Sequence, residues 1–201
     1  MIRVLIAEDQ AMVRGAMKAL LAMEDDLEIV AEVDRADRVV PVAKQTHPEV
    51  ALLDIEMPGG DGITAAGELR KVMPTCKVLI VTTFGRPGFL RRAMESGASG
   101  FMLKDAPAHE LALAIRRTVR GERVVDPGLA AAALSAGVSP LSDRERDVLN
   151  AGRQGASIAE IAKSLFLSEG TVRNYLSAAI QKLNVSNRTE AARVAEEQGW
   201  L

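Results

Sequence analysis

The feature that most constrains the fold is a regular alternation of short apolar runs with helical stretches over the first 120 residues. Several runs contain consecutive aliphatic side chains without polar alternation, which is typical of parallel strands that are covered on both faces. Between the runs, apolar residues recur at helical spacing, as at Met12, Ala16, Ala19, Leu20 and Met23. The apolar runs are Ile2–Ala7, Leu27–Val33, Val50–Leu53, Lys77–Thr82 and Ser99–Leu103.

Strands that alternate with helices predict βαβ crossovers and therefore a parallel sheet. Five strands is the size of a flavodoxin-like doubly wound sheet with strand order 2-1-3-4-5, so we predict an α/β domain of this class over residues 1–120. In this fold, ligands bind beyond the carboxyl ends of the strands, at the point where the strand order reverses. The first and third strands are neighbours there and would flank the binding crevice.

Composition changes after residue 120, where glycine, proline and alanine become frequent. Glycine and proline break regular structure, so we interpret residues 121–137 as a linker, in which four successive alanines favour a short helix. Residues 138–201 predict a small all-α domain of four helices, and its second and third helices are separated only by the sequence LFL, as in a helix-turn-helix. Capping residues mark the helix starts. These are Ser142 with Glu145, Ser157 with Glu160, Ser168, and Asn187 with Glu190.

Bulk composition excludes several classes of protein. The net charge is -2, and residues 138–201 hold eight basic and eight acidic residues, so nucleic-acid binding must depend on where the charges lie. Cys76 is the only cysteine, which rules out an intrachain disulfide and a thiolate metal cage. The sequence lacks the apolar core of a signal peptide and any stretch long enough to cross a bilayer, so we expect a cytoplasmic protein with no membrane partner.

Polar residues follow the predicted strands at one edge of the sheet. Glu8 and Asp9 follow the first strand and Asp54 follows the third, so three carboxylates would meet in one crevice. Clustered carboxylates repel each other unless a hard cation such as Mg²⁺ binds them. A carboxylate in such a site can act as a nucleophile toward phosphorus. Thr82 and Lys104 close the fourth and fifth strands, where a hydroxyl and an ammonium group can bind phosphoryl oxygens.

Four sequence blocks, IAEDQ, LLDIEMPGGDG, LIVTTF and GASGFMLKD, resemble the receiver domain of bacterial two-component response regulators. The resemblance implies that a sensor histidine kinase phosphorylates Asp54. It also implies a Mg²⁺ site in which Asp9 and Asp54 bind by their side chains, Glu56 by its backbone carbonyl and Glu8 through water. On phosphorylation, Thr82 would move toward the phosphate, Phe101 would turn inward and Lys104 would pair with the new charge.

The sequence departs from the commonest receiver pattern at two positions. Glu8 stands where aspartate is frequent, which is a mild change. Asp105 follows Lys104 where proline is usual, which puts the geometry of that loop in doubt but not the chemistry. The sequence GASG suggests a hydrolase nucleophile elbow, but that motif needs glycine at position 101, where the chain has Phe101.

One face of the predicted helix Ser168–Leu183 is apolar, and the opposite face is polar and free of acids. Arginine, asparagine and glutamine on such a face are the side chains that read base edges in a major groove. The blocks LSDRERDVL, SIAEIAKSLFLSEGTVRNYLSAAIQKLNV and NRTEAA resemble the LuxR-type DNA-binding domain of NarL/FixJ response regulators, and the whole chain most resembles DesR-like regulators. The resemblance implies that Arg173, Asn174 and Ser177 read bases and that Thr171 and Lys182 contact the DNA backbone. Arg188, like Lys182, lies near the far end of the helix and suits a phosphate contact.

The same resemblance implies a dimer contact through the last helix, with Ala191, Val194 and Ala195 as candidates. Gly170 stands where a longer polar residue is usual and Ser177 where lysine is common, so we expect modest affinity for DNA per monomer and compensation by dimeric binding to paired half-sites.

The leading hypothesis is a transcription factor, not an enzyme, that dimerises when phosphorylated and binds double-stranded promoter DNA, with RNA polymerase as a candidate further partner. Two alternatives belong to other classes. One is a phosphatase that forms an aspartyl phosphate, with Glu56 as its general acid. The other is a DNA-binding regulator that works without phosphorylation and carries a degenerate receiver domain, although the intact set of acids argues against it.

Overall fold

The computed structural model describes residues 1–83, 85, 87–135, 139–153 and 155–201. They divide into two compact units, of which the first spans Met1–Gly85 with Phe89–Ala130 and the second includes Ala131–Leu201. Within the described residues, every helix is too short or too polar to cross a lipid bilayer.

The first unit is built on a parallel sheet of six strands in the order β2-β1-β3-β6-β7-β8, and β4 and β5 form a separate antiparallel pair. Five strands of the main sheet are the five predicted ones, in the predicted order, so the doubly wound α/β fold is confirmed. The strands are β1 (Ile2–Ala7), β2 (Leu27–Val33), β3 (Val50–Leu53), β4 (Glu56–Met57), β5 (Gly60–Asp61), β6 (Lys77–Thr82), β7 (Gly100–Leu103) and β8 (Val124–Val125).

The helices of this unit cover the sheet. All four residues of β3 are 0% exposed. Alternate residues of a strand point to opposite faces, so burial of all four means that both faces of β3 are covered. The helices are α1 (Ala11–Leu21), α2 (Val39–Thr46), α3 (Gly62–Val72), α4 (Pro87–Glu95) and α5 (Ala108–Val119).

The segment predicted as a linker, residues 121–137, contains regular structure. β8 pairs with β7 through Gly100 with Val124 and Phe101 with Val125, so the sheet has one strand more than predicted. A helix, α6 (Pro127–Ser135), includes the four alanines, while residues 136 and 137 lie outside the described residues. A strand of two residues between glycine and proline is too short to display a periodic pattern, which is why the sequence did not reveal it.

The helices that follow are the four predicted at this end of the chain: α7 (Asp143–Gly152), α8 (Ile158–Leu165), α9 (Glu169–Leu183) and α10 (Arg188–Glu197). Their predicted N-caps are confirmed, since each cap side chain accepts a hydrogen bond from the third residue of its helix. The boxes at Ser142 and Ser157 are reciprocal. At α10, Glu190 instead accepts from the backbone N–H of Ser186.

A turn of three residues, Phe166 to Ser168, joins α8 to α9 and forms the predicted helix-turn-helix. The core of this unit includes Val172 and Leu176 of α9 and also Ala191 and Ala195 of α10. Ala191 and Ala195 are both 0% exposed. Their prediction as dimer contacts is therefore wrong, because small residues at helical spacing here pack inside the monomer.

Candidate acidic pocket and nucleic-acid interface

The acidic pocket lies where β1 and β3 end side by side. The backbone N–H of Asp54 donates to the carbonyl oxygen of Ala7 at 2.9 Å, and that of Glu8 donates to Val33 on the other side at 3.0 Å. These bonds extend the pairing of the strands by one residue and fix the backbone of both acids. The apolar residues before each acid are fully buried, so the sheet holds the two carboxylates at a rigid edge.

The structure brings together the three carboxylates that the sequence placed in one crevice. One carboxylate oxygen from each of Glu8, Asp9 and Asp54 lies within 4.8 Å of the other two. Glu8 is 1% exposed and Asp54 is 5% exposed. Three hard oxygen donors at this spacing, partly withdrawn from water, fit a small divalent cation such as Mg²⁺.

Lys104 compensates this negative charge from the end of β7. Its Nζ atom lies 2.6 Å from Glu8 Oε2 and 2.9 Å from Asp54 Oδ2. Burial, together with the charge of Asp54, raises the pKa of Glu8 above its usual value, although Lys104 counteracts part of the effect. For Lys104 itself, burial acts to lower the pKa, but the hydrogen bonds and charges of the two carboxylates outweigh it and raise the pKa. The ammonium group therefore stays charged within the pocket.

The loop after Asp54 is shaped by glycines. Asp54 Oδ1 accepts a hydrogen bond from the backbone N–H of Ile55 at 2.7 Å, which leaves Oδ2 directed at Lys104. A Cβ atom on Gly62 would lie only 1.8 Å from the carbonyl oxygen of Asp54, so only glycine fits there. Gly59 has a φ of +80°, which also favours glycine. Asp61 then caps α3 by accepting from Ile63.

The other predicted switch and metal residues lie around this pocket in different states of burial. Thr82 is 0% exposed at the end of β6, and its carbonyl accepts from the backbone of Lys104 at 2.9 Å. Phe101 was expected to turn inward on phosphorylation, but in this structure its side chain is already inside, at 0% exposure. The side chain of Glu56 is exposed and does not join the group of three carboxylates, which leaves its carbonyl as the expected ligand.

Sequence reasoning missed two arginines beside the pocket. Arg14, on α1, donates from Nη1 to the carbonyl oxygen of Glu8 at 2.5 Å and more weakly to that of Asp9 at 3.4 Å. Arg92, on α4, lies 2.6 Å from the carboxylate of Asp61. Arg14 lies in the first turn of α1, only six residues after Glu8, so a contact with the carbonyl oxygens before the helix could have been predicted from the sequence. The contact of Arg92 with Asp61 joins residues 31 positions apart and depends on tertiary packing.

The second candidate site is the polar face of α9. Val172, Leu176 and Ala179 of this helix are buried in the core of the second unit. The residues that sequence reasoning placed on the opposite face are all exposed, as a major-groove interface requires. These are Gly170, Arg173, Asn174, Ser177 and Gln181.

Each of the three cations predicted to contact DNA has a partner within its own unit. Arg173 Nη2 lies 2.9 Å from Glu169, four residues earlier on α9. Lys182 Nζ lies 2.7 Å from Glu145 Oε2 on α7, and the Glu145 side chain is only 6% exposed. Arg188 donates to the carbonyl oxygen of Ala156 at 3.0 Å. Sequence reasoning overlooked Glu169, although its i,i+4 spacing to arginine is a standard signal for an ion pair.

Two protein-family models match the chain. Residues 4–116 match the response regulator receiver domain, and residues 139–195 match the luxR family of bacterial regulatory proteins. The chain is 44% identical over 201 residues to the transcriptional regulatory protein DesR of Bacillus subtilis, with all of both chains covered. The predicted similarity to DesR-like regulators is thereby confirmed.

Solved structures share the architecture. The response regulator ChrA of a heme-sensing two-component system is 35% identical, with 100% of this chain and 98% of that chain covered and a TM-score of 0.59. A structure of two RcsB dimers bound to two parallel DNAs has a TM-score of 0.68 at 23% identity, with 98% of each chain covered, and it supports the fold alone.

Proposed function

The chain belongs to the NarL/FixJ family of two-component response regulators, which pair a receiver domain with a LuxR-type DNA-binding domain, and from this premise we propose that phosphorylation of Asp54 controls its binding to promoter DNA. Residues 1–120 would act as the receiver and residues 138–201 as the DNA-binding domain. The observation that carries the proposal is the group of three carboxylates within 4.8 Å, with Lys104 paired to Asp54.

The phosphoryl donor is a phosphohistidine of a sensor kinase. A carboxylate oxygen of Asp54 attacks the phosphorus, an O–P bond forms, the N–P bond breaks, and the kinase histidine leaves with the electron pair. Asp9 and Asp54, the carbonyl of Glu56 and, through water, Glu8 would hold Mg²⁺, whose charge would balance that of the phosphoryl oxygens. Two hydrogen bonds support this role, because they hold the nucleophile still before the phosphoryl group arrives: the N–H of Asp54 donates to the carbonyl oxygen of Ala7, and Asp54 Oδ1 accepts from the N–H of Ile55.

Lys104 and Thr82 would convert this chemistry into a signal. A phosphoryl group adds charge and strong acceptor oxygens to Asp54, so the ammonium of Lys104 gains a new partner. Thr82 would bind another phosphoryl oxygen, and Phe101 would repack behind it. The phosphorylated form then favours a receiver surface that dimerises.

We propose that α9 enters the major groove, as the recognition helix of a helix-turn-helix does. Arg173, Asn174 and Ser177 would read base edges, while Thr171, Lys182 and Arg188 would contact phosphates. A homodimer would place two such helices on paired half-sites, and RNA polymerase is a further proposed partner. In a solved structure, dimers of RcsB, which shares this fold, are bound to DNA.

A phosphatase remains the alternative from another class. Such an enzyme needs a general acid beside its aspartyl phosphate, and Glu56 is the acid at the right spacing. The exposed position of its side chain, apart from the group of three, favours a regulator over an enzyme.

Phosphoryl trapping separates these functions. Wild-type protein is incubated with acetyl phosphate and Mg²⁺, and the intact mass is measured. We expect a gain of one phosphoryl group that disappears in Asp54→Asn and persists in Glu56→Gln, which keeps the backbone carbonyl. Phosphorylation of Asp54→Asn would contradict the site, and steady release of phosphate that requires Glu56 would instead favour the phosphatase.

A further inference from the structure

The turn between α8 and α9 contains an aromatic side chain that its own unit does not use. Phe166 is 96% exposed, the highest value among the large hydrophobic residues that the structure describes. Its neighbours Leu165 and Leu167 both pack against the core of the unit. An aromatic ring stabilises a protein mainly through the area that it buries, so the Phe166 ring contributes little to this fold.

The backbone at Phe166 also disfavours this side chain. Its φ is 55°, in the left-handed region, where glycine is the usual residue at the end of a helix. The conformation is fixed by hydrogen bonds, because the N–H groups of Phe166 and Leu167 both donate to the carbonyl oxygen of Ala162. The turn therefore dictates the backbone conformation but gains nothing from a bulky side chain there.

Two other residues of the chain offer a comparison. His47 ends α2 with a φ of 46°, and Asn184 ends α9 with a φ of 52°. Histidine and asparagine are among the residue types enriched in the left-handed region, whereas a bulky aromatic residue is an outlier. Backbone strain of this kind, in a residue that the core does not need, is a reason to look for a function.

We propose that Phe166 contacts DNA, with its ring packed against an apolar surface at the wall of the major groove. This inference rests on the proposed function, in which α9 is the recognition helix. The N-terminal end of such a helix lies at the base edges, and Phe166 stands two residues before Ser168, which caps α9. The apolar surfaces within the groove are the methyl group of thymine and the edge of deoxyribose.

The surroundings of the ring favour DNA over another protein. Lys163, three residues before Phe166 on α8, is exposed, and so are Arg173 and Asn174 on α9. Exposed cations and hydrogen-bonding groups on the two helices that flank an exposed ring suit a polyanion with scattered apolar groups, whereas protein interfaces gather apolar residues into a continuous core. A second copy of the chain as the occupant is an outcome that the experiment distinguishes.

The test uses two substitutions with different consequences. Phe166→Asn removes the ring and suits the left-handed backbone, so the melting temperature of the second unit should rise by about 2–5 °C. The same change should weaken DNA binding by about tenfold, because the ring loses its apolar contact. Phe166→Tyr keeps the ring and should bind DNA within about twofold of wild type.

Asn184→Gly is the matched control. It relaxes another non-glycine residue of the same unit with a left-handed backbone, about 22 Å away along α9 at 1.5 Å per residue, so it should leave DNA affinity within about twofold. The probe is the selected duplex, which we define as a 30-base-pair DNA recovered with wild-type protein, Mg²⁺ and beryllofluoride from a pool of random sequences. Full-length proteins are titrated against it by fluorescence anisotropy at several salt concentrations.

A second probe identifies the apolar partner. In a version of the selected duplex with uracil in place of thymine, the C5 methyl groups are missing. If wild type and Phe166→Asn bind this DNA equally, the ring contacts a methyl group, and if the tenfold gap persists, the ring contacts deoxyribose. Either result supports the proposal, provided that the dependence of affinity on salt is unchanged, since an apolar contact releases no counterions.

Three results would overturn the inference. The first is that Phe166→Asn binds both duplexes as tightly as wild type. The second is that its loss of affinity is accompanied by a shallower dependence of affinity on salt. The third is that sedimentation without DNA shows that the substitution changes the monomer–dimer equilibrium, which would assign the ring to a second copy. If wild-type protein recovers no duplex at all, the proposed function itself fails, so the two failures are distinguishable.

Discussion

At the scale of single residues, the pocket depends on a balance between three acids and one ammonium group. Glu8, Asp54 and Lys104 are nearly inaccessible to water, so none of them is stable there without the others. The positions of these residues could be predicted, because each one directly follows an apolar run. Their pairing could not, since it depends on side-chain direction within the folded pocket.

Lys104 stabilises the two buried carboxylates and also competes with Mg²⁺ for their oxygens, and replacing it should separate these two effects. When a chelator removes divalent cations, the unfolding free energy of the first unit should be lower in Lys104→Gln than in wild type by roughly 2–4 kcal/mol, because two buried carboxylates lose their partner. Mg²⁺ should bind the variant about 3- to 10-fold more tightly than wild type, since the ammonium no longer competes for the same oxygens. Thermal unfolding at increasing Mg²⁺ concentrations measures both effects. Mg²⁺ affinity equal to or below that of wild type would contradict this picture of the pocket.

At the scale of elements, α9 forms an ion pair near each of its ends, and sequence reasoning identified neither pair. Glu169 engages Arg173 near its start, and Glu145 of α7 engages Lys182 near its end. The helix itself, its cap and its buried face followed from local patterns. The ion pair of Lys182 with Glu145 joins residues 37 positions apart, and no local sequence pattern predicts it.

Releasing Arg173 should strengthen DNA binding. In Glu169→Gln, the guanidinium loses its partner on the helix and is free to contact a base edge, so the affinity for the selected duplex should rise several-fold. Glu197→Gln is the control, because it makes the same charge change in the equivalent Arg193–Glu197 pair on α10. Weaker binding by Glu169→Gln would mean that Glu169 orients Arg173 for DNA instead of restraining it.

The ion pair between Glu145 of α7 and Lys182 of α9 should depend on pH. Burial acts to raise the pKa of Glu145, but hydrogen bonds from Lys182 and Ser142 outweigh it, so the pKa lies below that of an ordinary glutamate. A lowered pKa contributes stability above the unfolded value, near 4.5, and this stability is lost as the pH falls through the folded value. At pH 7, Glu145→Gln should therefore lower the unfolding free energy by roughly 1–3 kcal/mol, with a difference that shrinks in acid.

Urea unfolding followed by fluorescence of Trp200 measures this effect, because the only tryptophan of the chain packs against the core of the second unit. Glu160→Gln is the control, since Glu160 occupies the same place in the capping box of α8 but is exposed. Its substitution should have a smaller effect. A Glu145→Gln deficit that stays constant or grows below pH 4.5 would contradict the assignment.

At the scale of the whole molecule, the order of elements was the most predictable property. Continuous apolar runs and capping residues are local signals, and they identified the five strands and the last four helices. β8 was too short to detect. Ala191 and Ala195 were wrongly predicted as dimer contacts, because alanines at helical spacing form the same sequence pattern in a core as in a dimer interface. What the sequence could not reveal is which partner each charged side chain chooses.

The most direct test of the account measures the affinity of the selected duplex for wild type and Asp54→Ala, each with and without acetyl phosphate and Mg²⁺. Coupling between two sites is commonly 5- to 150-fold, so we predict that phosphorylation tightens wild-type binding by about tenfold or more. Asp54→Ala should bind with the unphosphorylated affinity under both conditions. A variant that still responded to acetyl phosphate, or a wild type that did not, would contradict control of DNA binding through this pocket.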